Sequence, residues 1–83
     1  MEMNKATAFI TKDLYLAAFL DSQNISLMQL QKDDNGDFIW FVFDDLQQCR
    51  ILESKFWQKE TFVCLKDYLN SLKILKQRLF QTN

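Results

Sequence analysis

Carboxylates occur as adjacent pairs at two places, Asp33–Asp34 and Asp44–Asp45. Two carboxylates held in a cleft can act as general acid and base, or can bind a divalent cation. A calcium loop places its glycine five residues after the first acid, whereas Gly36 follows Asp33 by three residues. We therefore expect the first pair to build a turn and the second to cap a helix, and we assign no metal site to either.

The nucleophilic side chains lack the partners that catalysis requires. The chain has no histidine, and Cys49 and Cys64 are fifteen residues apart without a CxxC motif. A zinc site would lack ligands, and Gly36 alone cannot form a glycine-rich phosphate loop. We expect Cys49 to lie in the core and Cys64 to precede the last helix as a weak cap or half-buried small residue. The composition predicts no catalytic residue, no cofactor and no enzymatic activity.

Charge is nearly balanced overall but uneven along the chain. Ten basic and eleven acidic residues leave a net charge of −1, so no overall field attracts nucleic acid. Residues 33–45 carry five aspartates and no base, whereas residues 46–83 carry seven bases and three acids. This asymmetry is typical of a binding face, but turns and helix N-termini also collect aspartates. Four bases of the last helix are candidate nucleic-acid contacts: Lys66, Lys73, Lys76 and Arg78.

The length of 83 residues predicts a single domain spanning 1–83, since no proline, repeat or low-complexity tract marks a linker. The longest uncharged apolar run, Leu14–Leu20, is too short to cross a bilayer. No signal-peptide pattern opens the chain, and two unpaired cysteines suit a reducing compartment. We therefore expect a cytoplasmic protein with no membrane partner.

The first half of the chain predicts a strand, a helix and a hairpin. A strand over Ala6–Ile10 leads to a helix over Lys12–Ser22, with Thr11 as N-cap and Asn24 ending it in the left-handed conformation. Strands 26–32 and 37–43 then flank Asn35-Gly36, which favours a type I′ turn. The resulting register predicts a core face on the hairpin that consists of Met28, Leu30, Ile39, Phe41 and Phe43.

The opposite face of this hairpin carries Phe38, Trp40 and Val42, which a solvated sheet face would not present in a row. The first helix is apolar around its whole circumference, including Tyr15 and Phe19. Two explanations stay open. The helix covers the outer sheet face in a three-layer fold, or one of these surfaces is buried by a second copy or another protein.

Two further helices complete the predicted fold. The second begins at Asp44 and carries a core stripe at Leu46, Cys49, Leu52 and Phe56. A short strand is expected over Thr61–Val63, and the last helix spans Leu65–Phe80. Its buried face is predicted to comprise Leu65, Tyr68, Leu72, Leu75 and Leu79. The order β-α-β-β-α-(β)-α predicts an α+β domain with a small, mainly antiparallel sheet.

Four segments together resemble a family of short bacterial and phage proteins known only as a domain of unknown function. They are DLYLAAFL at 13–20, FVFDD at 41–45, FW at 56–57 and YLNSL at 68–72. The resemblance covers residues 7–80 and implies a single α+β domain, with no activity, cofactor or catalytic residue. Cys64 departs from the family pattern, which has an aspartate cap before the last helix.

The sequence favours a non-enzymatic protein that acts through protein–protein contact, as a homodimeric accessory or adaptor protein. The predicted contact residues are Phe38, Trp40 and Val42, with Tyr15 and Phe19 as second candidates. The alternative is a small nucleic-acid-binding regulator that uses the basic last helix.

Overall fold

The computed structural model describes residues 8–36, 38–58 and 63–82. These residues form three strands and three helices in the order β-α-β-β-α-α, which confirms the predicted α+β class. The elements are β1 (Phe9–Thr11), α1 (Leu14–Ser22), β2 (Leu27–Lys32), β3 (Ile39–Phe43), α2 (Leu46–Trp57) and α3 (Leu65–Thr82). Most of the strand expected over residues 61–63 lies outside the described residues, and Val63, which is described, is not in a strand.

The strands form an antiparallel sheet in the order β1-β3-β2. The predicted hairpin register is confirmed near the turn, where Lys32 pairs with Ile39 and Leu30 with Phe41. A β-bulge between Leu27 and Gln29 then shifts the pairing. Leu27 therefore takes the place opposite Phe43, and the predicted core position of Met28 is wrong. A bulge inserts one residue into a strand, so Met28 turns outward and is half exposed.

The hairpin turn differs from the predicted type I′ turn. That turn requires positive φ at both central residues, but Gly36 has φ 76° while Asn35 does not have a positive φ. The Gly36 amide donates to the Asp33 carbonyl at 2.8 Å, so the turn spans Asp33–Gly36. The Asp33 carboxylate also accepts a hydrogen bond from the Asn35 amide at 3.1 Å. This Asx-type bond stabilises the turn one residue earlier than predicted.

Helix α1 is capped by Asp13, so the predicted N-cap at Thr11 is wrong. The Asp13 carboxylate accepts hydrogen bonds from the Tyr15 and Leu16 amides at 2.9 and 3.2 Å. Thr11 ends β1, and its hydroxyl oxygen accepts from the Asp13 amide at 3.1 Å. A carboxylate also interacts favourably with the positive end of the helix dipole, which favours Asp13 as the cap. Asn24 follows the helix with φ 67°, as predicted.

Helix α2 begins one residue later than predicted, with Asp45 as its N-cap. The Asp45 carboxylate accepts from the Gln48 amide at 3.2 Å, and Asp44 accepts from the Asp45 amide at 2.8 Å. Asp45 adopts the left-handed conformation with φ 60°. The chain therefore turns sharply between β3 and α2, which places the stripe of α2 against the sheet.

The helices contribute to one core on a single face of the sheet. Phe9 and Phe43 are paired, and Phe41 lies two residues before Phe43, so their side chains share this inner face. Residues of all described helices join them in one buried cluster: Leu16, Ala17, Ala18, Phe19, Leu20, Cys49, Leu52 and Leu75. Helix α1 thus lies on the inner face, and the three-layer arrangement with α1 on the outer face does not form.

Helix α3 packs along α1, and the Tyr68 hydroxyl donates to the Tyr15 carbonyl at 3.4 Å. Leu75 is fully buried in this contact, and Tyr68, Leu72 and Leu79 pack against the core as predicted. Leu65, however, is 67% exposed, so its predicted burial is wrong. Leu65 is the first residue of α3, and the part of the helix that meets the core begins at Tyr68.

Candidate interaction surfaces

The outer face of the sheet carries the residues predicted to contact a partner. Val42 lies between Ile10 of β1 and Gln29 of β2 in register, and Trp40 lies opposite Gln31. Val42 is fully buried, Trp40 is half-buried, and Ile10 is exposed. Within the described residues the core cluster of the helices lies on the other face; on this surface Ile10 and Trp40 keep accessible area, whereas Val42 between them is fully covered.

An aromatic pair lies at the turn end of the sheet, where Phe38 precedes β3 and also borders a cavity lined by Leu14, Phe41 and Leu79. The rings of Phe38 and Trp40 meet edge to face, with centroids 5.0 Å apart and planes at 76°. The Lys12 ammonium lies 4.6 Å from the centroid of the Phe38 ring. On the other side, Trp40 Nε1 donates to Asp33 Oδ1 at 3.4 Å. These contacts hold both half-buried rings in one orientation between a cation and an anion.

The candidates on α1 differ in accessibility. Tyr15 is 57% exposed, whereas Phe19 is buried in the core with its ring centroid 5.4 Å from that of Phe56. Neither Phe19 nor Val42 has side-chain surface to offer a partner, because the chain itself encloses both. Of the predicted contact residues, Phe38, Trp40 and Tyr15 keep accessible surface.

The carboxylates and cysteines have structural surroundings. Asp33 and Asp45 accept hydrogen bonds from turn and helix amides, and no group of three potential metal ligands occurs within the described ranges. Cys49 is buried, and its thiol donates to the Asp44 carbonyl at 3.4 Å. Burial first, and then the negative charges of Asp45, Asp44 and Glu53, raise the pKa of the Cys49 thiol to about 11.

Cys64 is exposed and precedes α3, where its carbonyl accepts the Tyr68 amide at 2.9 Å. Its backbone thus makes the first hydrogen bond of the helix. It lies far along the chain from the buried Cys49, and both cysteines are free thiols.

The four basic candidates of α3, Lys66, Lys73, Lys76 and Arg78, are all exposed. Large apolar side chains that were not predicted as surface residues lie beside these lysines. Leu69 is 51% exposed and Phe80 is 81% exposed. Leu69, Leu72, Lys73, Lys76, Gln77 and Phe80 line a shallow groove of about 350 Å³. The i, i+4, i+7, i+11 spacing from Leu69 to Phe80 was the available signal for this face.

In the part of the chain that the structure describes, no helix is long and apolar enough to cross a membrane.

Comparison with known proteins identifies the family to which the chain belongs. No curated protein and no solved structure matches the chain significantly. The model of one family, a domain of unknown function (DUF5659), matches residues 6–81. Because this match covers nearly the whole chain, the protein belongs to the DUF5659 family.

Proposed function

We propose that the chain is a non-enzymatic, cytoplasmic protein-interaction domain that forms a homodimer through the outer face of its sheet. The observation that carries this proposal is the composition of that face. It presents Ile10, Phe38 and Trp40, while the helices pack on the opposite face. An open sheet face that stays in water normally carries polar side chains, so apolar side chains here favour contact with protein. Ile10, Phe38 and Trp40 are called the outer-face patch below.

The outer-face patch has the features of an interface anchor. Trp and Phe rings bury large apolar areas on contact, and tryptophan is enriched among the residues that dominate binding energy. Phe38 and Trp40 are already held by each other, by Lys12 and by Asp33. Less side-chain entropy is lost on association when the anchors are ordered beforehand.

The charges beside the patch favour a second copy as the partner. Lys12 borders Phe38, and Asp33 borders Trp40. In a two-fold symmetric dimer each surface meets itself, so the cation of one copy can approach the anion of the other. The patch is therefore compatible with its own copy in charge as well as in apolar character.

The non-enzymatic part of the proposal is supported by how the reactive side chains are used. Asp33 and Asp45 serve as hydrogen-bond acceptors of a turn and a cap, and Cys49 is buried with a raised pKa. Asp33, Asp45 and Cys49 therefore each have a structural role among the described residues.

The test is the mass in solution, measured by size exclusion coupled to light scattering over a range of concentrations. The wild-type chain of 10.0 kDa is expected at about twice that mass, and Trp40→Lys at the monomer mass. Ile51→Lys is the matched control, because Ile51 is an exposed residue of α2, away from the outer face. Ile10→Lys serves as a second disrupting variant, since Ile10 is 42% exposed and pairs with Val42 at the edge of the outer face.

Circular dichroism confirms that each variant is folded before its mass is compared. A wild-type chain that stays monomeric at every concentration contradicts the proposal. Equal loss of the dimer in Trp40→Lys and Ile51→Lys also contradicts it, because the outer face would then have no special role.

A further inference from the structure

Helix α3 has an apolar face that the core does not use. At 3.6 residues per turn, Leu65, Leu69 and Phe80 fall on one side of the helix, together with Lys73 and Lys76. The residues that pack on the core, such as Leu75 and Leu79, lie about a quarter turn away. Packing of the monomer therefore does not account for the exposed leucines and phenylalanine.

A shallow depression lies between the side chains of this helix face. Half-buried Leu72 lies between exposed Leu69 and Phe80, and the groove of about 350 Å³ that they line with Lys73, Lys76 and Gln77 is called the α3 groove. A hollow of this volume accommodates one or two large apolar side chains that project from a partner. Shape and composition together point to a protein ligand with projecting apolar groups.

The charge of the α3 groove is of one sign. Lys66, Lys73 and Lys76 lie on this side of the helix, whereas Asp67, the acidic residue of α3, lies on the far side. The lysines border the apolar surface without an acidic residue of α3 between them. A partner that covers this face must offer acidic side chains around its apolar ones.

We propose that the α3 groove binds an amphipathic helix of a different protein, with an apolar stripe flanked by acidic side chains. In helix-in-groove docking the apolar face of an amphipathic helix lies against an apolar surface, which Leu69, Leu72 and Phe80 supply here. The acidic flanks of the partner pair with Lys73 and Lys76 at the rim. This site shares no residue with the outer-face patch, and its proposed contacts do not depend on dimer formation.

The same features argue against three other occupants. A second copy that paired α3 with α3 about a two-fold axis would bring Lys73 and Lys76 of both copies together, which is repulsive. The surface of a lipid bilayer presents no projecting apolar side chain that could fill the α3 groove. A nucleic-acid backbone would neutralise the lysines but leave Leu69 and Phe80 without an apolar partner.

The experiment measures binding of labelled helical peptides by fluorescence anisotropy. The probes are a small panel of designed 18-residue peptides with Leu, Phe or Trp in an apolar stripe and Glu on both flanks. The matched probes have Lys in place of Glu. We expect an acidic peptide to bind at least about tenfold more tightly than its basic match.

The variants test the groove itself. Leu69→Glu and the double variant Lys73→Glu/Lys76→Glu are each expected to weaken binding of the acidic peptide at least about tenfold. The double variant should in turn bind the basic peptide more tightly, which a merely unfolded protein cannot do. Ile74→Glu is the matched control, because Ile74 is exposed on another side of the same helix and should leave binding unchanged.

Three results would overturn the proposal. One is that no acidic peptide binds, and another is that the double variant binds the acidic peptide as well as the wild type does. The third is that phosphatidylserine vesicles or a duplex DNA oligonucleotide bind through Lys73 and Lys76 more tightly than any peptide. Trp40→Lys should bind the peptide normally, so loss of the dimer and loss of this site are distinguished.

Discussion

At the scale of single residues, Cys49 illustrates how the environment decides the chemistry of a reactive group. Its thiol is buried, donates to the Asp44 carbonyl, and lies near the charges of Asp45, Asp44 and Glu53. All these influences disfavour the thiolate, and they raise the pKa to about 11. Because the thiolate is the nucleophilic form, Cys49 is a packing residue in the folded protein.

The two cysteines should therefore differ in alkylation. At pH 8 the solution is about three units below the pKa of the Cys49 thiol, so roughly one thiol in a thousand is ionised. Iodoacetamide is expected to modify the exposed Cys64 and to spare Cys49, while both react in urea. Intact-mass spectrometry counts the modifications, and Cys64→Ser should show none in the native state. Rapid native labelling of Cys49 would contradict this assignment.

At the scale of elements, aspartate side chains determine where α1 and α2 begin. Asp13 caps α1 and Asp45 caps α2, and both accept hydrogen bonds from amides of the first turn. Asp45 combines this role with a left-handed backbone conformation, φ 60°. Aspartate and asparagine tolerate that conformation better than other residues with a Cβ. Aspartate at position 45 thus meets two local requirements at the junction of β3 and α2, the N-cap hydrogen bond and the left-handed conformation.

Two substitutions of Asp45 test whether its N-cap hydrogen bond and its left-handed conformation contribute to stability. Asp45→Ala should lower the free energy of unfolding by about 1–3 kcal/mol, because the cap is lost and alanine is strained at this φ. Asp45→Asn keeps an acceptor and tolerates the conformation, so its cost should stay below about 1 kcal/mol. Urea unfolding followed by tryptophan fluorescence measures both. Equal costs for the two variants would show that the cap and the conformation are unimportant.

At the scale of the whole molecule, apolar side chains stay accessible on both the sheet and the helical side of the described residues. Ile10, Phe38 and Trp40 form the outer-face patch, and the α3 groove lies on the helical side. The patch is flanked by charges of both signs and suits a second copy. The groove is flanked by lysines alone and suits a different, acidic partner. One small fold thus has room for two separate contacts.

A dimer through the outer-face patch should make stability depend on protein concentration. Association of folded chains adds free energy to the native state by mass action, so the urea midpoint is expected to rise between about 1 and 100 μM. Trp40→Lys should show a constant midpoint over this range, and Ile51→Lys should behave like the wild type. A wild-type midpoint that does not move would contradict the dimer independently of the measured mass.

Local patterns of residues were enough to predict the order of the elements and much of the pairing. The hairpin register at Lys32 and Leu30, the left-handed Asn24 and the core stripe of α2 from Leu46 to Phe56 all depend on neighbours in sequence. Apolar spacing and turn residues determine these features over a few residues. The α+β class and the resemblance to a domain of unknown function were predicted from local patterns, and both are confirmed.

Tertiary structure decided which face each apolar residue uses. The bulge at Met28 places Leu27 against the core. Helix α1 packs on the inner face, so Phe19 is inaccessible. The tertiary structure also leaves Leu69 and Phe80 exposed beside the lysines of α3. A helical stripe shows which side chains lie together, but burial depends on contacts between distant segments. The interaction surfaces therefore emerge only when sheet and helices are packed together.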